Sequence, residues 1–192
     1  FGYKHQTQAS FLLLQVKDRA AACAWLSSVP VNSATSVEPP PETALQLALS
    51  SAGLQALGVA EDIVGAFSAE FVLGLGRDSS QARRLGDVGA NAPERWQWGS
   101  GQRVPHVLLM LYARPGRLAA FQQLIEAQCA NGFEILVTLS TSDMDGIEPF
   151  GFVDGISQPK LDWERTRAVR DQEQLAYSNL SCLGEYLLGY PN

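Results

Sequence analysis

Histidine, methionine and cysteine are scarce: two, two and three residues in a chain of 192. His5 and His106 have no H-E-x-x-H or triad context, so catalytic His-Ser or His-Cys chemistry has little support. Cys23, Cys129 and Cys182 are odd in number, widely spaced and without a C-x-x-C pair, which excludes a disulfide framework and a zinc site of the usual spacing. They read as buried or semi-buried free thiols in a reducing, cytoplasmic compartment. Basic clusters are missing too, the longest being Arg83-Arg84. Residues 1–96 carry 7 basic and 9 acidic groups and residues 97–192 carry 7 and 11, so no nucleic-acid partner is expected. The longest apolar run, Val107 to Ala113, is far short of the roughly 20 residues that span a bilayer, and a soluble chain without a membrane span is expected. No initiator Met or signal peptide precedes Phe1, and no helix end or charged tail follows Tyr190-Pro191-Asn192; both ends are expected to be cut.

What is present suits a globular core. The chain is 46% hydrophobic, 9% aromatic and 18% charged, with 17 Gly, 10 Pro and a net charge of −6. At about 150 residues per domain this allows one domain or slightly more. The charge gives no steering information beyond disfavouring anionic polymers.

The apolar stretch Gln8 to Val16 reads as a central strand. Asp18-Arg19 and the Ala-rich segment to Ser28 predict a helix stopped by Pro30, and the prolines at 39–41 predict a loop. Leu45 to Leu49 alternates in the strand period, after which Ser50-Ser51 offer caps to a short helix ending at Gly58. Residues 61–86 predict helices, one with an apolar stripe of Ile63, Val64 and Phe67 and the next starting at Ser68; Gly86 to Gln102 predicts an irregular loop. Val104 to Ala113 is a strand. Pro115 is expected to open a helix with Leu118, Phe121, Leu124/Ile125 and Cys129 on one face, closed by Asn131-Gly132, before a last strand from Phe133 to Leu139. The predicted order is βαββαβ with a helical insertion near 50–103. That order is an α+β, ferredoxin-like four-stranded antiparallel sheet with helices packed on one face, and it fixes a class rather than a function.

Two motifs fail on inspection. Gly74-Leu75-Gly76 lacks the third glycine of a dinucleotide fingerprint, because Ser79 stands there, and its surroundings read as helix. Asp143-Met144-Asp145-Gly146 resembles half a calcium loop, but Phe152 occupies the place of the bidentate Glu, and a solvated turn explains it better. His106, at the start of an apolar strand, reads as a structural residue with a local partner.

Pro149-Phe150-Gly151-Phe152-Val153-Asp154-Gly155-Ile156-Ser157-Gln158-Pro159 carries the most information. Asp-Gly alone marks a turn. That reading leaves unexplained why Phe152-Val153 would carry a carboxylate toward an apolar wall, while glycine at 151 and 155 would let backbone pass close to a flat ligand. The segment "PFGFVDGISQP" resembles the GxxDG motif of the dye-decolorising (DyP-type) haem peroxidases. "FSAEFVLGLGRDSSQARRLGD" with its following Pro-Trp loop, "VPHVLLMLYA" and "GEYLLGYPN" resemble that family's N-terminal half in the same order, over essentially the whole chain.

The resemblance implies a haem-dependent peroxidase, built from two ferredoxin-like domains, that reduces hydrogen peroxide and oxidises a dye-like or other aromatic reductant. Matched residue by residue, Asp154 takes the place of the distal acid–base carboxylate, and Gly155, Ile156 and Ser157 those lining the distal face of haem b. The family's proximal histidine and distal arginine belong to a second half that these 192 residues do not reach. The chain is therefore expected to be an N-terminal portion: residues 1–145 as the first domain, and 146–192 as the GxxDG haem-facing segment and the start of the connection to a missing second domain. The piece alone is expected to bind haem weakly. Gly184 to Tyr190 reads either as a strand with a tight turn or as pocket lining, and Trp163, Tyr177 and Tyr186 as scaffold residues or relays of oxidising equivalents. A homo-oligomer stays open, as does the alternative function of a non-catalytic ferredoxin-like module that pairs sheets into a dimeric α/β-barrel.

Overall fold

The structure, a computed structural model, describes residues 5–33, 38–141, 147, 150–153, 160–163, 180–181 and 184. The chain divides into two compact units, Phe1–Ser142 and Asp143–Asn192.

The first unit is built on four strands: β1 (Gln8–Val16), β2 (Thr43–Leu49), β3 (Val107–Ala113) and β4 (Phe133–Ser140). They lie in the order β2-β3-β1-β4 with every neighbouring pair antiparallel. Helix α1 (Arg19–Leu26) connects β1 to β2. Between β2 and β3 runs the insertion, with α2 (Ser51–Ala56), α3 (Glu61–Gly65), α4 (Ala69–Arg77), α5 (Ser79–Leu85) and two short 3-10 turns; α6 (Leu118–Cys129) leads from β3 to β4. This is the ferredoxin-like arrangement, an α+β fold.

Side-chain alternation in the strands builds the core. In β3, Val107, Leu109, Leu111 and Ala113 are buried while Leu108, Met110 and Tyr112 between them are half-buried. Register places Leu12 and Leu47 opposite Leu109, Leu14 opposite Val107, and Leu45 opposite Leu111, so these side chains share one face. Ala22 and Trp25 of α1, and Ile125 and Cys129 of α6, close over that face, with Trp25 set edge-on to Phe133 at 5.7 Å. Burying each such Leu or Phe side chain contributes about 1.5–3 kcal/mol. The other face carries Phe11 and Tyr112, edge to face at 6.1 Å.

Several boundaries and faces differ from expectation for local reasons. Pro115 does not open α6. It precedes Gly116 at φ +80°, and Arg117 N–H donates to Arg114 C=O at 3.0 Å, giving the Pro-Gly pattern of a type II turn one step ahead of the helix. Ile125 rather than Leu124 faces the core, and of the stripe predicted from Ile63, Val64 and Phe67 only Val64, in α3, is buried; Ile63 and Phe67, the latter beyond the end of α3, are exposed. Strand β3 begins at Val107 rather than Val104, because Pro105 has no N–H to give a ladder. Cys129 is buried as expected; Cys23 is exposed, and Cys182 lies outside the described residues.

Within the second unit the described residues include two short parallel strands, β5 (Lys160–Leu161) and β6 (Leu180–Ser181). The sequence carried no signal for either.

Candidate functional site

Asp154, Gly155, Ile156 and Ser157, the residues singled out from the sequence, lie outside the described residues. So do the Asp143-Met144-Asp145-Gly146 turn, Tyr177, Tyr186 and all of the Gly184 to Tyr190 segment except Gly184. What the structure describes is the approach to Asp154. Ile147 and Val153 face each other across an isolated antiparallel bridge, and between them Gly151 adopts φ +85°. Among the described residues nothing lies within 4 Å of where a Gly151 Cβ would project. The positive φ itself favours glycine there, at a turn ahead of the carboxylate. Phe150 and Phe152 are 91% and 71% exposed, and Val153 and Trp163 are exposed as well. Sequence reasoning placed the turn at Asp-Gly and missed this earlier one; Pro149-Phe150-Gly151 was the available signal.

Two cavities in the first unit are lined by described residues. One, of about 240 Å³, lies between α2, α4 and the loop at 99–104; its wall includes Phe71, Leu73, Leu75 and Val104, with Glu70 and Arg77 as its charged groups. The other, of about 500 Å³, is lined partly by Arg77, Asp78, Arg83, Asp87 and Glu94. Neither is lined by His, Cys or Tyr, so neither offers haem iron an axial ligand. Among the described residues no group of three His, Cys, Asp or Glu side chains is placed to hold a metal ion.

The two imidazoles do not change this. His5 is exposed and lines neither cavity. His106 is built into the sheet: its Nδ1 accepts the Val16 N–H at 3.0 Å, and its own backbone N–H donates to Leu14 C=O at 2.7 Å. Burial pushes its pKa below the ordinary value of 6.5. The local partner expected for His106 is thus the end of β1. Neither of these two cavities, lined as it is, fits a haem.

The sheet order and the helices on one face define the class, a ferredoxin-like α+β domain. No protein-family model matches the chain. "Peroxidase 2" of Mycetinis scorodonius is 28% identical over 163 residues, 79% of this chain and 30% of that protein. "Dye-decolorizing peroxidase msp1" of the same organism is 27% identical over 187 residues, 91% and 35% of the two chains. Among solved structures, a fungal DyP-type peroxidase from Auricularia auricula-judae superposes with a TM-score of 0.65 at 25% identity, covering 87% of this chain and 38% of that one. A DyP-type peroxidase from Anabaena sp. matches at 0.63 and 20%, covering 82% and 37%, and supports the fold alone. The chain spans about a third of the length of the curated relatives it matches. The chain is thus similar, over part of their length, to dye-decolorising (DyP-type) peroxidases.

Proposed function

We propose that the chain is part of a haem-dependent peroxidase that reduces hydrogen peroxide and oxidises dyes or other aromatic reductants. Residues 1–145 form its ferredoxin-like first domain, and residues 146–192 bring Asp154, Gly155, Ile156 and Ser157 to the distal side of haem b and begin the connection to a second domain. The reading is carried by one conjunction: "PFGFVDGISQP" follows the last strand of a ferredoxin-like sheet, in a chain whose curated relatives are named peroxidases.

Haem b, held by a histidine from outside these 192 residues, supplies the redox chemistry when bound. The contribution of this chain is a proton carrier. A carboxylate within reach of hydrogen peroxide takes a proton from one oxygen and returns it to the other, a transfer typically worth about 10²–10⁴-fold in rate. An exposed Asp has a pKa of about 3.9, so it remains a base in acid, where an imidazole of pKa about 6.5 is protonated. An acidic optimum follows. Cys23 and Cys129 as free thiols fit a reducing compartment, and we place the protein in the cytoplasm. Among the described residues no helix is long and apolar enough to cross a membrane.

The test uses the full-length, haem-loaded protein and its Asp154→Asn variant. Peroxide turnover is expected to fall by about 10²-fold or more at unchanged haem content. Undiminished turnover would remove Asp154 from the role, and a full-length protein that takes up no haem would favour the non-catalytic sheet-pairing module.

A further inference from the structure

The helical insertion is rooted where the end of β1, the end of β2 and the start of β3 meet, and His106 stands at that junction. The Ser50 N–H donates to His106 C=O at 3.1 Å and the Ser50 hydroxyl to Pro105 C=O at 2.7 Å. Helix α2 rests directly on the same carbonyl: a Cβ on Gly53 would fall 2.0 Å from the His106 oxygen. The side-chain amide of Gln15 donates to Gln102 C=O at 2.7 Å and Val104 C=O at 3.0 Å. Residues 102–106 are thus pinned to β1 by Gln15, by the His106 backbone and by the His106 ring. Of these the ring alone can titrate.

We propose that His106 is an acid-sensitive latch that fastens the base of the insertion to the sheet. The latch is closed when the ring is neutral and carries its proton on Nε2, leaving Nδ1 free to accept the Val16 N–H. Acid places a proton on Nδ1, so that two donors face each other; the Val16 N–H loses its partner, and the ring must turn away or leave. Such an orphaned amide is costly unless water reaches it, and so the junction opens. Ser50, which is bonded to the His106 carbonyl, and Val104, two residues before the ring, also line the cavity of about 240 Å³ between α2 and α4, so opening loosens that cavity's wall.

Little charge stands near enough to interfere. β1, β2 and α2 contain no ionisable side chain, and the only one in β3 is Tyr112, toward the opposite end of the strand. Lys17 follows β1 but its Nζ donates to Ala130 C=O, and Asp18 caps α1. Arg103 is turned to Gln97 C=O, and Glu134 of β4 pairs with Gln15 and is exposed. Desolvation is the only cause resolved for the lowered affinity of the ring for protons. With the folded pKa depressed, the stability tied to the neutral ring is full above about pH 6.5 and is lost as pH falls through the folded value.

The test is amide hydrogen exchange at Val16, corrected for intrinsic exchange, together with ¹⁵N shifts of the His106 ring, on the full-length protein from pH 7.5 to 4.5. Protection of Val16 is expected to fall at least tenfold, with the midpoint of the ring titration. In His106→Asn, whose Oδ1 can stand where Nδ1 stands and does not titrate, the pH dependence is expected to shrink to less than twofold. Constant protection in the wild type, the same loss in His106→Asn, or a ring protonated on Nδ1 at pH 7.5 would overturn the latch. If His106→Asn does not fold, coincidence of the two wild-type midpoints decides the matter, and separate midpoints overturn it.

Discussion

Replacing Gly132 by alanine adds one methyl group at the turn between α6 and β4. The structure says where it goes: 2.5 Å from the Ala22 nitrogen, 2.6 Å from the Ala22 Cα and 2.9 Å from the Ala21 carbonyl carbon. All three are backbone atoms of α1, so no side-chain rotation relieves the overlap. Moving the nearest atom out to an ordinary contact of 3.4 Å requires a shift of about 0.9 Å. The Gly132 carbonyl accepts the Lys17 and Asp18 N–H groups at 2.8 and 3.2 Å, so the turn cannot retreat without lengthening the bonds that begin α1. Displacing α1 instead lifts Ala22 and Trp25 off Ile125, Cys129 and Phe133. Overpacking of this kind costs about 1–3 kcal/mol. The smaller unfolded-state entropy of alanine returns about 0.4–1 kcal/mol, because Gly132 has an ordinary φ that alanine tolerates. The helix-start bonds add to the loss, and a net destabilisation of about 2 kcal/mol is expected, a fall in Tm of about 4–8 °C for a chain of this size. Thermal unfolding followed by far-UV circular dichroism measures it. A Gly132→Ala protein with a Tm equal to or above wild type would show that α1 does not sit against the turn as described.

Leu109 is fully buried in the central strand β3, opposite Leu12 and Leu47, and Leu109→Ala is expected to lower the urea unfolding free energy by about 2–5 kcal/mol; a loss below 1 kcal/mol would contradict its place in the core. Burial raises the Cys129 pKa above its ordinary value of 9.0, with Glu126 adding to the shift and a backbone hydrogen bond opposing it. Stability tied to the neutral thiol is therefore present below about pH 9 and is lost as pH rises from there toward the folded value. In mass-mapped alkylation of native protein at pH 8, exposed Cys23 is expected to react at least tenfold faster than Cys129; equal rates would overturn the burial.

The strands and the two sheet-covering helices could be read from the chain because each is specified locally. Asp18 is a capping residue with an Ala-rich run behind it, and its Oδ1 does accept the Ala21 N–H. Apolar spacing from Leu118 to Cys129 has only one helical solution, though 3.6-residue spacing left Leu124 and Ile125 undecided until α6 met the sheet. What could not be read depends on distant partners. Nothing near Gly53 or Gly132 announces a neighbour at His106 or Ala22, and the ring of His106 finds Val16 ninety residues away. The insertion was legible as helices but not as faces, because segments as short as Glu61–Gly65 make barely more than one turn. For the site, the sequence motif named Asp154 and its neighbours, whereas the turn at Gly151 depended on a φ value that the residue type permits without requiring.

Leu49 and Val107 are cross-strand partners, so the sheet treats everything from Ser50 to His106 as one hairpin connection. Doubling the length of such a connection adds only about 0.6 kcal/mol of closure entropy. The insertion can therefore lengthen, shorten or exchange its helices over evolutionary time while the strand register and the core beneath it stay fixed. New recognition surfaces can be tried there with the chemistry elsewhere left in place. The same geometry makes the domain trimmable: joining Leu49 to Val107 through a two-residue Asn-Gly turn closes the hairpin in its existing register and leaves a minimal sheet on which such grafts could be compared.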